Sequence, residues 1–206
     1  MSEYGYIPES PAQSFGNNKG IFSPNDIYDL TRADKYTQYG QLELIQTQTA
    51  SSVTTLDFTT LGSYSIHFLT HSNLESSTTN VRYGVRFYES GVLETADVYK
   101  WGYSQQLDNG STSDFYDNSH SSIPIQLEQP TSLQGNGYTY FYSLIYDAKY
   151  SYITNVHNRS TGGIIAEFGM GVMHQASTVT GFQISAYDTS SASFSGTFSL
   201  YGIKEY

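Results

Sequence analysis

The chain has 206 residues, enough for one large all-β domain with a full core or for two small ones. Its formal charge is −10, and its nine Lys and Arg residues are scattered, so it lacks the basic clusters that displace counterions from a phosphate backbone. Nucleic-acid binding is excluded on that ground, and the absence of Cys excludes a disulfide framework or a thiolate site.

Aromatic residues make up 16% of the chain, with 20 Tyr and 11 Phe. Tyr buries ring area while keeping a hydroxyl for water or a partner, so this enrichment fits half-wetted sheets and contact surfaces. Met1-Ser-Glu-Tyr-Gly-Tyr6 has neither a basic n-region nor an apolar h-region, and no apolar run approaches the roughly 20 residues needed to span a bilayer. The expectation is a protein made in a reducing cytoplasm and not associated with membranes.

Residues 1–20 read as an extended arm. Pro8 and Pro11 disfavour regular structure, and Gly16-Asn-Asn-Lys-Gly20 is turn chemistry. Tyr4, Tyr6, Ile7 and Phe15 punctuate it, and Ile21 and Phe22 follow. Two readings stay open: an arm folded back on its own sheet or disordered, and an arm that docks on a neighbouring subunit through these six residues. Ser23-Pro-Asn-Asp26 then opens one short helix, with Ser23 as cap, Pro24 at the first helical position and Asp26 completing a capping-box-like pair. It should end near Asp34. Residues 1–40 thus form an anchoring segment, and residues 41–206 a separate sandwich.

From Leu42 onward strand follows strand. Leu42–Thr49 and Val53–Phe58 flank an expected turn at Ala50-Ser-Ser52, and Tyr64–His71 follows. Val81–Tyr88 alternates, with Val81, Tyr83, Val85 and Phe87 on one face and Arg82 and Arg86 on the other. Further strands are expected at Ala96–Tyr103, Gly137–Leu144, Tyr150–Val156, Ile164–Phe168, Gly181–Tyr187 and Phe194–Ile203. Turn signals include Glu89-Ser-Gly91, Asn109-Gly110, Asn136-Gly137 and Thr161-Gly-Gly163. Roughly ten short strands at this spacing predict an all-β, jelly-roll-like antiparallel sandwich. Gln105–Gln134 is long and polar and reads as an outward-facing loop.

No catalytic signature emerges. His67 and His71 share a strand face about 13 Å apart, too far for one metal, and read as residues of a wet face. His120, His157 and His174 lie in separate segments. Asp57, Glu75, Glu89, Glu94, Asp97 and Glu167 are candidate acids for glycoside cleavage, but none forms a motif. Gly169-Met-Gly171 reads as a bulge or turn. No G-x-S-x-G elbow, P-loop or calcium loop is present, and no cofactor is implied. Trp101, beside Tyr99 and Tyr103, either stacks on a sugar if exposed or forms one face of a core strand if buried. With Phe115 and Tyr116, Trp101 and Tyr103 are the candidates for outward recognition.

Five pieces of the chain, in order, resemble virion structural proteins of marine and cyanobacterial tailed bacteriophages. They are Gly20-Ile-Phe-Ser-Pro with Tyr28-Asp-Leu30; Leu44-Ile-Gln-Thr-Gln-Thr-Ala-Ser51 with Asp57-Phe-Thr-Thr-Leu61; Tyr64-Ser-Ile-His-Phe68; Arg86-Phe-Tyr-Glu-Ser-Gly91; and Ser195-Gly-Thr-Phe-Ser-Leu-Tyr-Gly-Ile203. The resemblance implies a non-enzymatic particle component, a capsid decoration or cement protein, located in the virion and assembled in the host cytoplasm. Its partners would be the major capsid protein or other virion proteins, with self-association as a dimer or trimer. The alternative is a tail or fibre protein recognising a host-surface glycan. A polysaccharide-cleaving enzyme is the third reading. In the last piece Phe194, Phe198 and Leu200 should face the core, and Thr197, Ser199 and Tyr201 should look outward.

Overall fold

The computed structural model describes residues 13–14, 17–18, 23–33, 42–79, 81–129, 131, 134–160, 163–187 and 192–204. The chain divides into two units, one from residues 1–39 and one from residues 40–205.

In the first unit β1 (Gln13–Ser14) pairs antiparallel with β2 (Asn17–Asn18), and α1 spans Pro24–Arg32. The helix starts where its sequence predicts. The Asp26 backbone N–H donates to Ser23 Oγ at 3.2 Å, and the Ser23 backbone N–H donates back to Asp26 Oδ2 at 2.9 Å, so two otherwise orphaned donors are satisfied. Hydrogen bonds from the Ser23 hydroxyl and backbone hold the Asp26 carboxyl below the usual range.

The second unit contains β3 (Leu42–Val53), β4 (Thr55–Phe58), β5 (Ile66–Ser76), β6 (Val81–Glu89), β7 (Val92–Leu93), β8 (Tyr99–Leu107) and β9 (Thr112–His120). It continues with β10 (Ile123–Gln129), β11 (Gly135–Tyr142), β12 (Tyr150–Ser160), β13 (Ile164–Ala176), β14 (Val179–Ala186) and β15 (Phe194–Ile203). Two antiparallel sheets pack as a sandwich, the all-β fold expected from the sequence. The large sheet has the order β3-β15-β5-β11-β12-β13-β8-β9, and the small one β10-β6-β14-β4 with β7 pairing β6. Alternation on every strand sends one set of side chains between the sheets. Stacked Phe58, Phe182 and Phe141 form the centre, with ring centroids 4.9 and 4.6 Å apart. Val81, Tyr83, Val85 and Phe87 of β6 are buried as their spacing predicts, and so are Phe194, Phe198 and Leu200 of β15.

Three expectations are corrected. The stretch expected as a loop over Gln105–Gln134 holds, among its described residues, the end of β8, all of β9 and all of β10. Its sparse apolar residues hide a strand: Ile123, Ile125 and Leu127 alternate and are buried, while Pro124 is tolerated because β10 is an edge strand needing fewer ladder donors. Ala50-Ser-Ser52 is not a turn, because β3 runs through it with a register shift against β15 and a left-handed Ser52. Asn136-Gly137 and Gly169-Met-Gly171 likewise lie inside β11 and β13 rather than at turns.

Candidate functional site: a buried polar row and two unlike outer faces

Register brings together residues that the sequence keeps far apart. His71 of β5, Gly137 of β11, His157 of β12, Glu167 of β13 and Gln105 of β8 form one row across the inner face of the large sheet. Gly137 makes the row possible. A Cβ there would lie 2.8 Å from His71 Cε1 and 2.4 Å from the Val156 carbonyl oxygen. In the space it leaves, the two imidazoles stack with centroids 5.1 Å apart, and His71 Nε2 meets His157 Nδ1 at 2.8 Å. Burial pushes His71 down to about 4, and burial with the nearby His71 and Arg159 charges pushes His157 well below its ordinary value. Both rings are therefore neutral at pH 7. The expectation that His67 and His71 lie on a wet face is overturned, since both are buried.

The same row ends in a sealed ion pair. Glu167 accepts from Arg159 Nε at 3.1 Å, from Gln105 Nε2 at 3.0 Å and from the Leu127 backbone N–H at 2.9 Å. The last bond crosses to β10 and ties the two sheets together. In the neighbouring row Asn155 Nδ2 donates to Tyr103 Oη at 2.6 Å and to the Pro124 carbonyl at 3.3 Å. Burial drives the Tyr103 hydroxyl well above its ordinary value. These groups are shut away from solvent, and their chemistry is to fix register and sheet spacing. Among the described residues no three His, Asp or Glu side chains are gathered as a metal site would need.

The outer face of the large sheet is the opposite. One row runs Leu42, Ile203, Ile66, Tyr142, Tyr152 and Val172 from β3 to β13. The next runs Leu44, Tyr201, Phe68, Tyr140, Thr154 and Met170, and the third Thr47, Ser199, Thr70, Tyr138, Val156 and Phe168. No position in these three rows carries a formal charge. Leu44 is 60% exposed, Met170 65% and Phe168 45%. Phe68 is ringed by Tyr138, Tyr140 and Tyr201 at centroid distances of 5.7, 4.7 and 6.2 Å.

The outer face of the small sheet is polar. Asp57 of β4, Gln183 of β14 and Arg86 of β6 form a row, and both Tyr88 Oη and Gln183 Nε2 donate to Asp57 Oδ1, at 2.7 and 2.9 Å. Hollows of about 380 and 370 Å³ flank the row, one walled by Tyr88 and the other by Tyr187. Of the other candidate acids, Glu94 accepts from the Ala96 N–H at 2.7 Å and from Gln175 Nε2 at 3.0 Å. Bonds from the Ala96 backbone N–H and the Gln175 amide hold its carboxyl below the usual range despite partial burial.

The residues singled out for recognition are separated by the fold. Trp101 and Tyr103 point into the core, so they do not face outward; their spacing matches that of buried Tyr99 on the same strand. Phe115 packs against the core from β9, and Tyr116, 83% exposed, continues the outer face. The arm residues Tyr4, Tyr6, Ile7, Phe15, Ile21 and Phe22 lie outside the described residues. Compared with models of known protein families and with curated proteins, the sequence matches none.

Proposed function

We propose that the chain is a non-enzymatic structural protein of a bacteriophage virion, a decoration or cement protein that docks on the capsid shell. The observation that carries this reading is the aromatic outer face of the large sheet, uncharged along its three rows from β3 to β13. Aromatic and Met enrichment with depletion of Lys, Glu and Asp is the compositional mark of interface cores, not of surfaces left in water. Five ordered sequence motifs support the same reading. Repetition over a lattice makes weak single contacts sufficient, and an N-terminal arm carrying Tyr4, Tyr6 and Ile7 would add a second attachment.

Quantitative mass spectrometry of purified particles tests it. The chain should occur in a fixed ratio to the major capsid protein, and particles lacking it would end the proposal. A second reading, recognition of a host-surface glycan, draws on the Asp57–Gln183–Arg86 row between two Tyr-walled hollows. Planar carboxylate, amide and guanidinium groups beside aromatic rings suit the hydroxyls and faces of sugars. Specific signals on a glycan array, lost in Asp57→Ala, would favour it over decoration.

A further inference from the structure

We infer that the outer face of the large sheet is covered by the same face of a second copy, the two sheets closing face to face about a two-fold axis. The inference rests on the reading of this face as an interface above and names a second copy as its occupant, so that attachment to the shell falls to the N-terminal arm.

Three observations select the occupant. The first is charge. Each copy carries a net −10, so two copies repel at a distance and can meet closely only where acids are not forced against acids. The three rows from β3 to β13 are such a place. The charged side chains of this face lie outside those rows, Lys100 and Asp114 at the β8–β9 margin and Glu75 near the end of β5, where an interface rim belongs.

The second is complementarity. A partner bound by charge would need an opposite field to answer, and the face offers none. What it offers is flat, aromatic and aliphatic, and the surface that matches it is another of its kind. A two-fold contact uses one patch twice, so a single self-complementary sheet face is all it needs.

The third is size. Strands about 4.8 Å apart make the eight-stranded face roughly 35 Å wide, and three rows of outward residues about 6.7 Å apart make it roughly 20 Å deep. The product, about 700 Å², approaches the roughly 800 Å² that each partner contributes to a standard stable interface. Face-to-face packing at about 10 Å is the ordinary spacing of stacked sheets.

Analytical ultracentrifugation of the full chain over a concentration series tests the inference. A monomer–dimer equilibrium is expected, and raising NaCl from about 20 to 150 mM should tighten it by screening the like net charges. Tyr140→Lys and, separately, Phe168→Glu should each weaken dimerisation at least tenfold while keeping the wild-type circular dichroism and melting curve, since both side chains point away from the core. Tyr88→Lys, on the small sheet, should leave it unchanged. A wild-type chain that stays monomeric to about 100 μM, a trimer, a dimer weakened by salt, or one indifferent to both large-sheet variants would overturn the inference. A chain that dimerises but is missing from particles would refute the virion role and leave this inference standing; a monomer bound to particles would do the reverse.

Discussion

His71 and His157 share one hydrogen bond in the buried interior, and their remaining ring nitrogens, His71 Nδ1 and His157 Nε2, meet no protein partner. The pair is tolerated while neutral. Above pH 6.5 neither the folded nor the unfolded chain protonates His71. Below it the unfolded chain takes up a proton that the folded chain refuses until about pH 4, so stability falls across that window, by about 3 kcal/mol for His71 alone. Urea melts at pH 7 and pH 4.5 should show a smaller loss in the double variant His71→Leu/His157→Leu than in wild type. Parallel losses would mean that other groups carry the acid sensitivity. Glu167→Gln should cost about 3–5 kcal/mol at pH 7, because the buried Arg159 guanidinium loses its carboxylate, and the denaturation midpoint reads this directly. Neither site was legible in the sequence. In Ile66–His71 both alternating sets contain apolar residues, Leu69 with the histidines and Ile66 and Phe68 opposite, so periodicity could not say which set was buried. The partner of His71 lies 86 residues away and only register finds it.

At the scale of the strand, glycine decides where side chains of neighbouring strands can lie. Gly169 of β13 sits beneath the Tyr103 ring, and a Cβ there would fall 2.0 Å from Tyr103 Cε1. Gly169→Ala must expel the ring and break its bond to Asn155, at a cost of about 2–4 kcal/mol. Gly102 of β8 faces outward with nothing within 4 Å of a built Cβ, so Gly102→Ala should stay within about 0.5 kcal/mol of wild type. Equal effects in thermal melts would show that Tyr103 has room to move. The sequence hid this because glycine marks both turns and close approaches. Gly91 and Gly110 are turn residues with positive φ, as read, whereas Gly137 and Gly169 are strand residues under a ring. Strands with strong alternation, β6 and β15, were legible to within a residue or two, while β9 and β10 were lost beneath Ser, Asn and Asp.

For the whole molecule, every described core residue falls between Ile45 and Leu200. Removing residues 1–39 should therefore leave the melting temperature of the sandwich within about 3 °C of the full chain, while loading onto particles is lost if the arm is an anchor. A collapse of the melting transition would mean that the first unit completes the core. The fold class followed from strand spacing alone, since two sheets with one buried face each are what roughly ten alternating segments can build. The division of labour between the two outer faces was not legible. It depends on which sheet each strand joins, and β10 and β14 enter the small sheet between neighbours that enter the large one.

β15 lies between β3 and β5, pairing with both along nearly its whole length. During synthesis those two strands leave the ribosome long before Phe194, so each presents an unpaired edge until the rest of the sandwich has been made. Closure of the large sheet is thus a late step, set by the arrival of one ten-residue segment. A nascent chain stalled before it would hold the hydrogen-bonding edges of β3 and β5 open to each other or to any passing strand. A strand supplied in trans, with the sequence of Phe194–Ile203, would have a ready-made slot to fill.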